Sequence, residues 1–181
     1  MILRRIAAGT PPITLADAKE HLRVTGTDED DLITGYIAAA CGYVSEASGR
    51  ALSEETWMIA EEGFCDEVTL PKSPVRELVS VKYYLNDTLT TATLADYRLY
   101  LSDDYSEVAP VYGKIWPVAQ IREDGTQITF KAGYVTLPAE LRQAVFLMLA
   151  FLYANRGDEA VSPPPALDWL IGAHRLGWVA G

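Results

Sequence analysis

The sequence predicts an α+β domain in which both ends of the chain supply helices and the middle supplies strands. Three observations carry this. Apolar residues recur at three- and four-residue steps near both ends. Between them, β-branched and aromatic residues gather in short runs broken by Pro71, Pro74, Pro110 and Pro117. The length of 181 residues, with 49% apolar and 22% charged types, suits one globular domain. A chain this long can bury about 70% of its unfolded surface and needs no staples.

The first predicted element is a helix over 14–22. Thr14 is placed to cap it, and Leu15, Ala18 and Leu22 form its apolar stripe. A second helix over 29–48 follows the acidic run Asp28-Glu29-Asp30-Asp31. Thr27 or Asp28 is its expected N-cap, the carboxylates suit the positive helix end, and Gly49 terminates it. The run reads as solvated helix-end charge, because no calcium-loop spacing accompanies it.

The region 53–132 reads as β-rich. Expected strands cover 56–60, 67–70, 78–85, 97–101 and 127–131, and Asn86-Asp87 forms a hairpin turn with 88–93 returning. Helix resumes at Pro138, which suits a first helical turn, and runs to about 155. From Ala144 on it is apolar nearly all round. A domain of this size can hardly wrap one helix on every side, so a subunit contact is expected there. The stretch 157–165 ends in three prolines and reads as a stiff linker. Beyond it, 166–178 is a short amphipathic helix with Trp169, Leu170, Ala173 and Leu176 on one side. It either folds back on its own core or docks on a partner.

Lys and Arg number 15 against 25 Asp and Glu, a net charge of −10. That argues against gripping nucleic acid through phosphates, which needs a basic face, and against an anionic membrane surface. No signal peptide or membrane span is read, and the longest apolar run is far shorter than the ~20 residues a span needs. With only Cys41 and Cys65, neither a disulfide framework nor a zinc site is expected, and cytosolic folding with free thiols is the default. Cys41 falls on the apolar side of its helix. The two histidines, His21 and His174, have no second ligand at metal spacing. No nucleophile elbow, Walker loop or dinucleotide fingerprint occurs. The aromatic residues Trp57, Tyr83, Tyr84, Tyr97, Tyr100, Tyr105, Tyr112 and Trp116 read as strand packing. No catalytic residue, cofactor or metal is expected.

Several stretches, in order, resemble phage head–tail connector proteins, the head-completion adaptors of tailed phages, prophages and gene transfer agents. They are Ile13-Thr-Leu-Ala-Asp-Ala-Lys-Glu-His-Leu-Arg-Val24, the acids 28–31, Ile37-Ala-Ala-Ala40 and Ser48-Gly-Arg-Ala-Leu52. The middle adds Leu70-Pro-Lys-Ser-Pro-Val75, Val79-Ser-Val-Lys-Tyr83 and Asp96-Tyr97-Arg98. The end adds Ile128-Thr-Phe-Lys-Ala-Gly-Tyr134, Leu137-Pro138, Leu141-Arg-Gln-Ala144 and Tyr153-Ala-Asn-Arg156. The resemblance spans roughly 13–158.

The resemblance implies a helical bundle built from N- and C-terminal helices with a central β-rich insertion. The adaptor core would be 1–158, and 159–181 a Pro-rich linker and docking segment. It implies a structural, non-enzymatic protein of the virion neck, made in the host bacterial cytoplasm. It would form a ring of about twelve copies beneath the portal after DNA packaging, extend the DNA channel and hold the next head-completion or tail protein. DNA would pass through without sequence-specific binding. Portal contact maps to Trp169, Leu170, His174, Arg175, Leu176 and Trp178. The apolar helix offers Leu141, Val145, Met148, Leu149 and Leu152 as a subunit interface. The alternatives are another virion ring component, such as a stopper or tail terminator, or a phage-encoded enzyme.

Overall fold

A computed structural model describes residues 1–64, 66–102, 104–156 and 162–177. They form two compact units, one of residues 1–9 and 54–134, the other of residues 10–53 and 135–181.

The first unit is built of strands, with one short 3-10 turn at Leu94–Asp96. Its five-stranded antiparallel sheet contains β1 (Ile2–Ala7), β2 (Glu55–Glu61), β4 (Val75–Leu85), β5 (Thr88–Thr91) and β8 (Thr126–Ala132), in the order β1-β2-β8-β4-β5. A second antiparallel sheet holds β3 (Val68–Leu70), β6 (Tyr97–Tyr100) and β7 (Ser106–Pro110), in the order β3-β7-β6. Strand β8 is central because its sequence alternates cleanly. Thr126, Ile128, Phe130 and Ala132 are buried, while Gln127, Thr129 and Lys131 are half-buried. It pairs with β2 through Trp57↔Phe130 and Ile59↔Ile128, and with β4 through Leu78↔Phe130 and Val81↔Ile128. These cross-strand apolar pairs set the register, since a one-residue slip would turn every core side chain outward. At the β4–β5 turn Asn86 and Asp87 both have positive φ, 50° and 59°, the conformation a two-residue primed turn requires.

The second unit is all helix: α1 (Leu15–Leu22), α2 (Asp30–Ser48), α3 (Ala139–Ala154) and α4 (Ala166–Gly172). Thr14 caps α1 in a reciprocal box. Its hydroxyl accepts from the Asp17 N–H, and the Asp17 carboxylate accepts from the Thr14 N–H. The N-cap of α2 is Glu29 rather than Thr27 or Asp28, and no side-chain cap bond forms there. Gly49 ends α2 in the left-handed region at φ 74°. Ile33, Ile37, Ala40 and Val44 of α2 are buried, as are Leu141, Ala144, Val145 and Leu149 of α3.

The expected helical bundle with a central insertion does not hold. Residues 1–9 belong to the sheet unit, so strands begin the chain and the sheets are no insert between terminal helices. Among the described residues, eight strands and four α-helices take up comparable lengths of chain. Two strands escaped the pattern reading. β1 carries Arg4-Arg5 where alternation would put one apolar side chain, and β7 ends on a proline. Part of the apolar surface of α3 is covered within the chain, because α1, α2 and α4 all pack against it, while Phe146, Leu147, Phe151 and Leu152 stay half-buried.

Gly125 precedes β8 at a crowded junction. A Cβ there would lie 2.4 Å from the Gln120 carbonyl oxygen and 2.6 Å from that of Glu62. Backbone oxygens cannot swing aside as a side chain would. Gly125→Ala is therefore expected to destabilise the sheet unit by on the order of 1–3 kcal/mol, read by chemical denaturation.

Candidate functional site

Among the described residues no group of three or more His, Cys, Asp or Glu side chains could hold a metal ion. No helix among them is long and apolar enough to cross a membrane. The two histidines serve packing and pairing. His21 stacks on Phe146 at 4.8 Å between ring centroids, and His174 Nε2 lies 3.5 Å from the Glu140 carboxylate. Burial pushes the Cys41 thiol up to about 11, so it is protonated and unreactive at neutral pH. Cys65 lies outside the described residues.

The acidic run has definite partners. Glu29 accepts a hydrogen bond from the Tyr153 hydroxyl, and Arg156 Nη1 lies 2.6 Å from its Oε1. Asp30 Oδ1 lies 2.6 Å from Lys19 Nζ, joining α2 to α1. The Arg156 guanidinium and then the Tyr153 hydroxyl hold the Glu29 carboxyl below the ordinary carboxylate range. The Thr14 backbone and hydroxyl do the same for Asp17, which also pairs with Arg142 of α3 at 3.3 Å.

The C-terminal segment folds back on the helical unit. Leu167, Ile171 and Leu176 are buried to 1% exposure or less. The last turn of α2 leaves carbonyls without intrahelical donors. Leu176 N–H donates to Ser48 O at 3.0 Å and Arg175 Nε to Ala47 O at 3.1 Å, which satisfies them. Arg50 Nε in turn donates to the His174 carbonyl. The apolar side expected from Trp169, Leu170, Ala173 and Leu176 is thus not the buried one. The helix stops at Gly172, so Leu176 reaches the core through a non-helical turn, and Leu167 with Ile171 forms the inner stripe.

Of the residues assigned to portal contact, Trp169 is 80% exposed, Leu170 and His174 are half-buried, Arg175 is exposed and Leu176 is interior. Trp178 lies outside the described residues. Of those assigned to a subunit interface, Leu141, Val145, Met148 and Leu149 are buried within their own unit, and Leu152 is half-buried.

In segment 111–122 of the sheet unit, sequence reading assigned Tyr112 and Trp116 to strand packing, but no strand forms there. There Tyr112, Ile115, Val118 and Ile121 recur every third residue, and all are exposed. Trp116 alternates inward. Its ring stacks between Phe64 at 4.3 Å and Tyr97 at 4.7 Å, and its Nε1 donates to Asp66 O at 3.2 Å. The threefold recurrence of large apolar residues with proline between them was the signal available.

Exposed apolar side chains on hydrogen-bonded backbone in the sheet unit, and an outward tryptophan on α4 of the helical unit, are the equipment of a protein that works by fitting against other proteins. Comparison with known proteins agrees. The sequence profile of phage gp6-like head–tail connector proteins matches residues 12–107, more than half of the chain, and the chain belongs to that family. Its role is that of a structural head–tail connector. No curated protein matches its sequence.

Three similar solved chains come from gene transfer agent particles. One, from the neck of an empty particle computed with C6 symmetry, superposes with a TM-score of 0.82 at 27% identity over 97% of this chain and 95% of that one. Another, from the virion of the native particle, gives 0.80 at 26% over the same shares. A third, from the native neck computed with C12 symmetry, gives 0.77 at 26%, again over 97% and 95%.

The pairing at Glu29 makes a pH prediction. Its carboxyl is held below its ordinary value, so the bond stabilises the fold above about pH 4.3. That contribution is lost as pH falls through the depressed folded-state value. Glu29→Gln should lower the melting temperature at pH 7, and the gap to wild type should narrow as pH falls below the ordinary carboxylate range and through the depressed folded-state value. A gap that stays constant across that range would mean the carboxylate charge contributes nothing.

Proposed function

We propose that this connector acts as a head-completion adaptor. Copies of it assemble as a ring beneath the portal after DNA packaging, extend the DNA channel and present a surface to the next head-completion or tail protein. The observation that carries this reading is the superposition, over nearly the whole chain, on a neck protein resolved under cyclic symmetry. The protein acts by contact, without turnover, and its site of action is the virion neck after synthesis in the host cytoplasm. The net charge of −10 fits a channel wall, because a wall of the same sign as the phosphates lets DNA slide without sticking.

The portal-facing surface in this reading is α4. Trp169 projects from it, with Leu170 beside it and with Arg175 and Asp168 paired at 3.5 Å nearby. An exposed tryptophan flanked by a guanidinium is the side-chain type that dominates binding hot spots.

Native mass spectrometry of the chain mixed with the portal protein of its own gene cluster tests the reading. A complex holding as many copies of this chain as of portal is the expected result, and absence of any complex would contradict it. Trp169→Asp should weaken that complex at least tenfold and leave the melting temperature unchanged. Truncation after Pro165 is a poorer test, because it also removes Leu167, Ile171 and Leu176 from the helical core.

A further inference from the structure

We infer that the segment 111–122 of the sheet unit is a preformed strap that docks on a neighbouring copy of this chain in the ring. The inference rests on the ring reading proposed above and deepens it by naming a contact surface.

The strap is apolar and held rigid. Ile115, Val118 and Ile121 are 85%, 84% and 87% exposed, and Tyr112 is fully exposed. Its backbone is tied at both ends. Val111 N–H donates to Asp96 O at 2.9 Å, and Lys114 Nζ pairs with Asp96 Oδ1 at 2.9 Å. Gln120 N–H donates to Tyr84 O at 2.8 Å. The Gln120 side chain also accepts from Asp87 N–H and donates to Asp87 Oδ1, both at 3.0 Å. The stacked Trp116 anchors the middle. Apolar side chains in water on tethered backbone lose little freedom on docking, which is the condition for affinity from a small patch. Clefts flank the strap on both sides of Val118. One is floored by Leu85, Asn86 and Asp87, the other by Tyr83, Thr93 and Tyr97. A facing surface can therefore interlock with it.

Charge selects the occupant. A chain of net charge −10 repels its own copies over most of its surface. From residue 108 to residue 122 there is no acidic residue. The strap's two cations are already neutralised within the chain, Lys114 by Asp96 and Arg122 by Asp124. With no free cation it offers nothing to DNA phosphates, and with no acid it offers nothing to a basic partner. The strap itself gives a like-charged copy no carboxylate to bury, and the acids of the flanking clefts, Asp87 and Asp96, are already held by Gln120 and Lys114. Necks of similar chains computed with C6 and C12 symmetry supply the geometry in which each copy has neighbours. In such a closed ring the contact is heterologous, so the strap meets a different face of the next subunit. The strap also lies beyond residues 12–107, the stretch that matches the family profile.

The test places a photo-crosslinking p-benzoylphenylalanine at Val118 in the full chain, assembled with portal protein. The expected product has twice the chain's mass, and the peptide it captures names the acceptor face. In parallel, the double variant Ile115→Asp, Val118→Asp should melt like wild type, since both side chains are exposed, yet incorporate at least tenfold less into the complex. Crosslinks only to portal or to another protein would overturn the inference while leaving the adaptor reading intact. So would full incorporation of the double variant. If the wild-type chain forms no multicopy complex, the adaptor reading fails and the inference fails with it.

Discussion

The sheet unit depends on the backbone hydrogen bonds that meet at Gly125. Tyr84 N–H donates to Gly125 O at 2.9 Å, Gly125 N–H to Arg122 O at 2.8 Å, and Gln120 N–H to Tyr84 O at 2.8 Å. They lock the end of β4, the irregular segment before β8 and the start of β8 into one junction. The junction is so tight that the Gln120 and Glu62 carbonyls leave no room for a Cβ. From it β8 runs into the centre of the sheet with its register set. β2 and β4 then pair on either side, and Phe130, Ile128, Trp57 and Val81 come together on the buried side. The same junction fixes where the exposed strap begins its descent into the sheet. Core order and surface presentation are consequences of one piece of backbone geometry.

The helical unit is organised around the two ends of α2. Its first turn has no side-chain cap, and its acids are instead held by residues distant in sequence, Glu29 by Tyr153 and Arg156, Asp30 by Lys19. These mostly half-buried pairs contribute modestly one by one, but together they tie α1, α2 and α3 at one end. At the other end, the carbonyls of Ala47 and Ser48 take donors from Arg175 and Leu176. The C-terminal segment thereby completes a helix that would otherwise end with unmet acceptors. This explains why only part of that segment is outward-facing. Its position is set by Leu167, Ile171 and the backbone at 176, and Trp169 is what remains on the other side.

What was legible in the sequence was local. Thr14 with Asp17 three residues later spells a capping box, Gly49 a left-handed terminus, and Asn86-Asp87 a primed turn, because in each case the chemistry lies within a few residues of the geometry it forces. What was not legible depends on partners far along the chain. β1 has two adjacent arginines and becomes a strand only because β2 offers it an edge. The buried stripe of α4 is chosen by the end of α2, more than a hundred residues earlier, as the Arg175–Ala47 bond shows. The apolar girth of α3 did not show which part of it three helices of its own chain would cover. The segment 111–122 repeats every third residue, a spacing that matches neither helix nor strand, so a search for those two periods missed it.

That last contrast bears on how a connector of this composition can assemble. An acidic chain has two ways to associate with its own kind. It can pair carboxylates with cations of a neighbour, or it can set the contact on a surface without charge. The first is closed to the strap, because Lys114 and Arg122 are already engaged with Asp96 and Asp124. Rim ion pairs elsewhere would also weaken as salt rises. The second is the contact proposed for the strap, and it would rest on apolar burial, which salt does not screen. Apolar contact is also non-directional, so direction must come from backbone geometry. The hydrogen bonds of Val111 and Gln120 and the stacked Trp116 supply it, holding Ile115 and Val118 in place before any neighbour arrives. Apolar adhesion and a fixed backbone are both needed if one contact, repeated around a closed ring, is to meet itself without accumulated error.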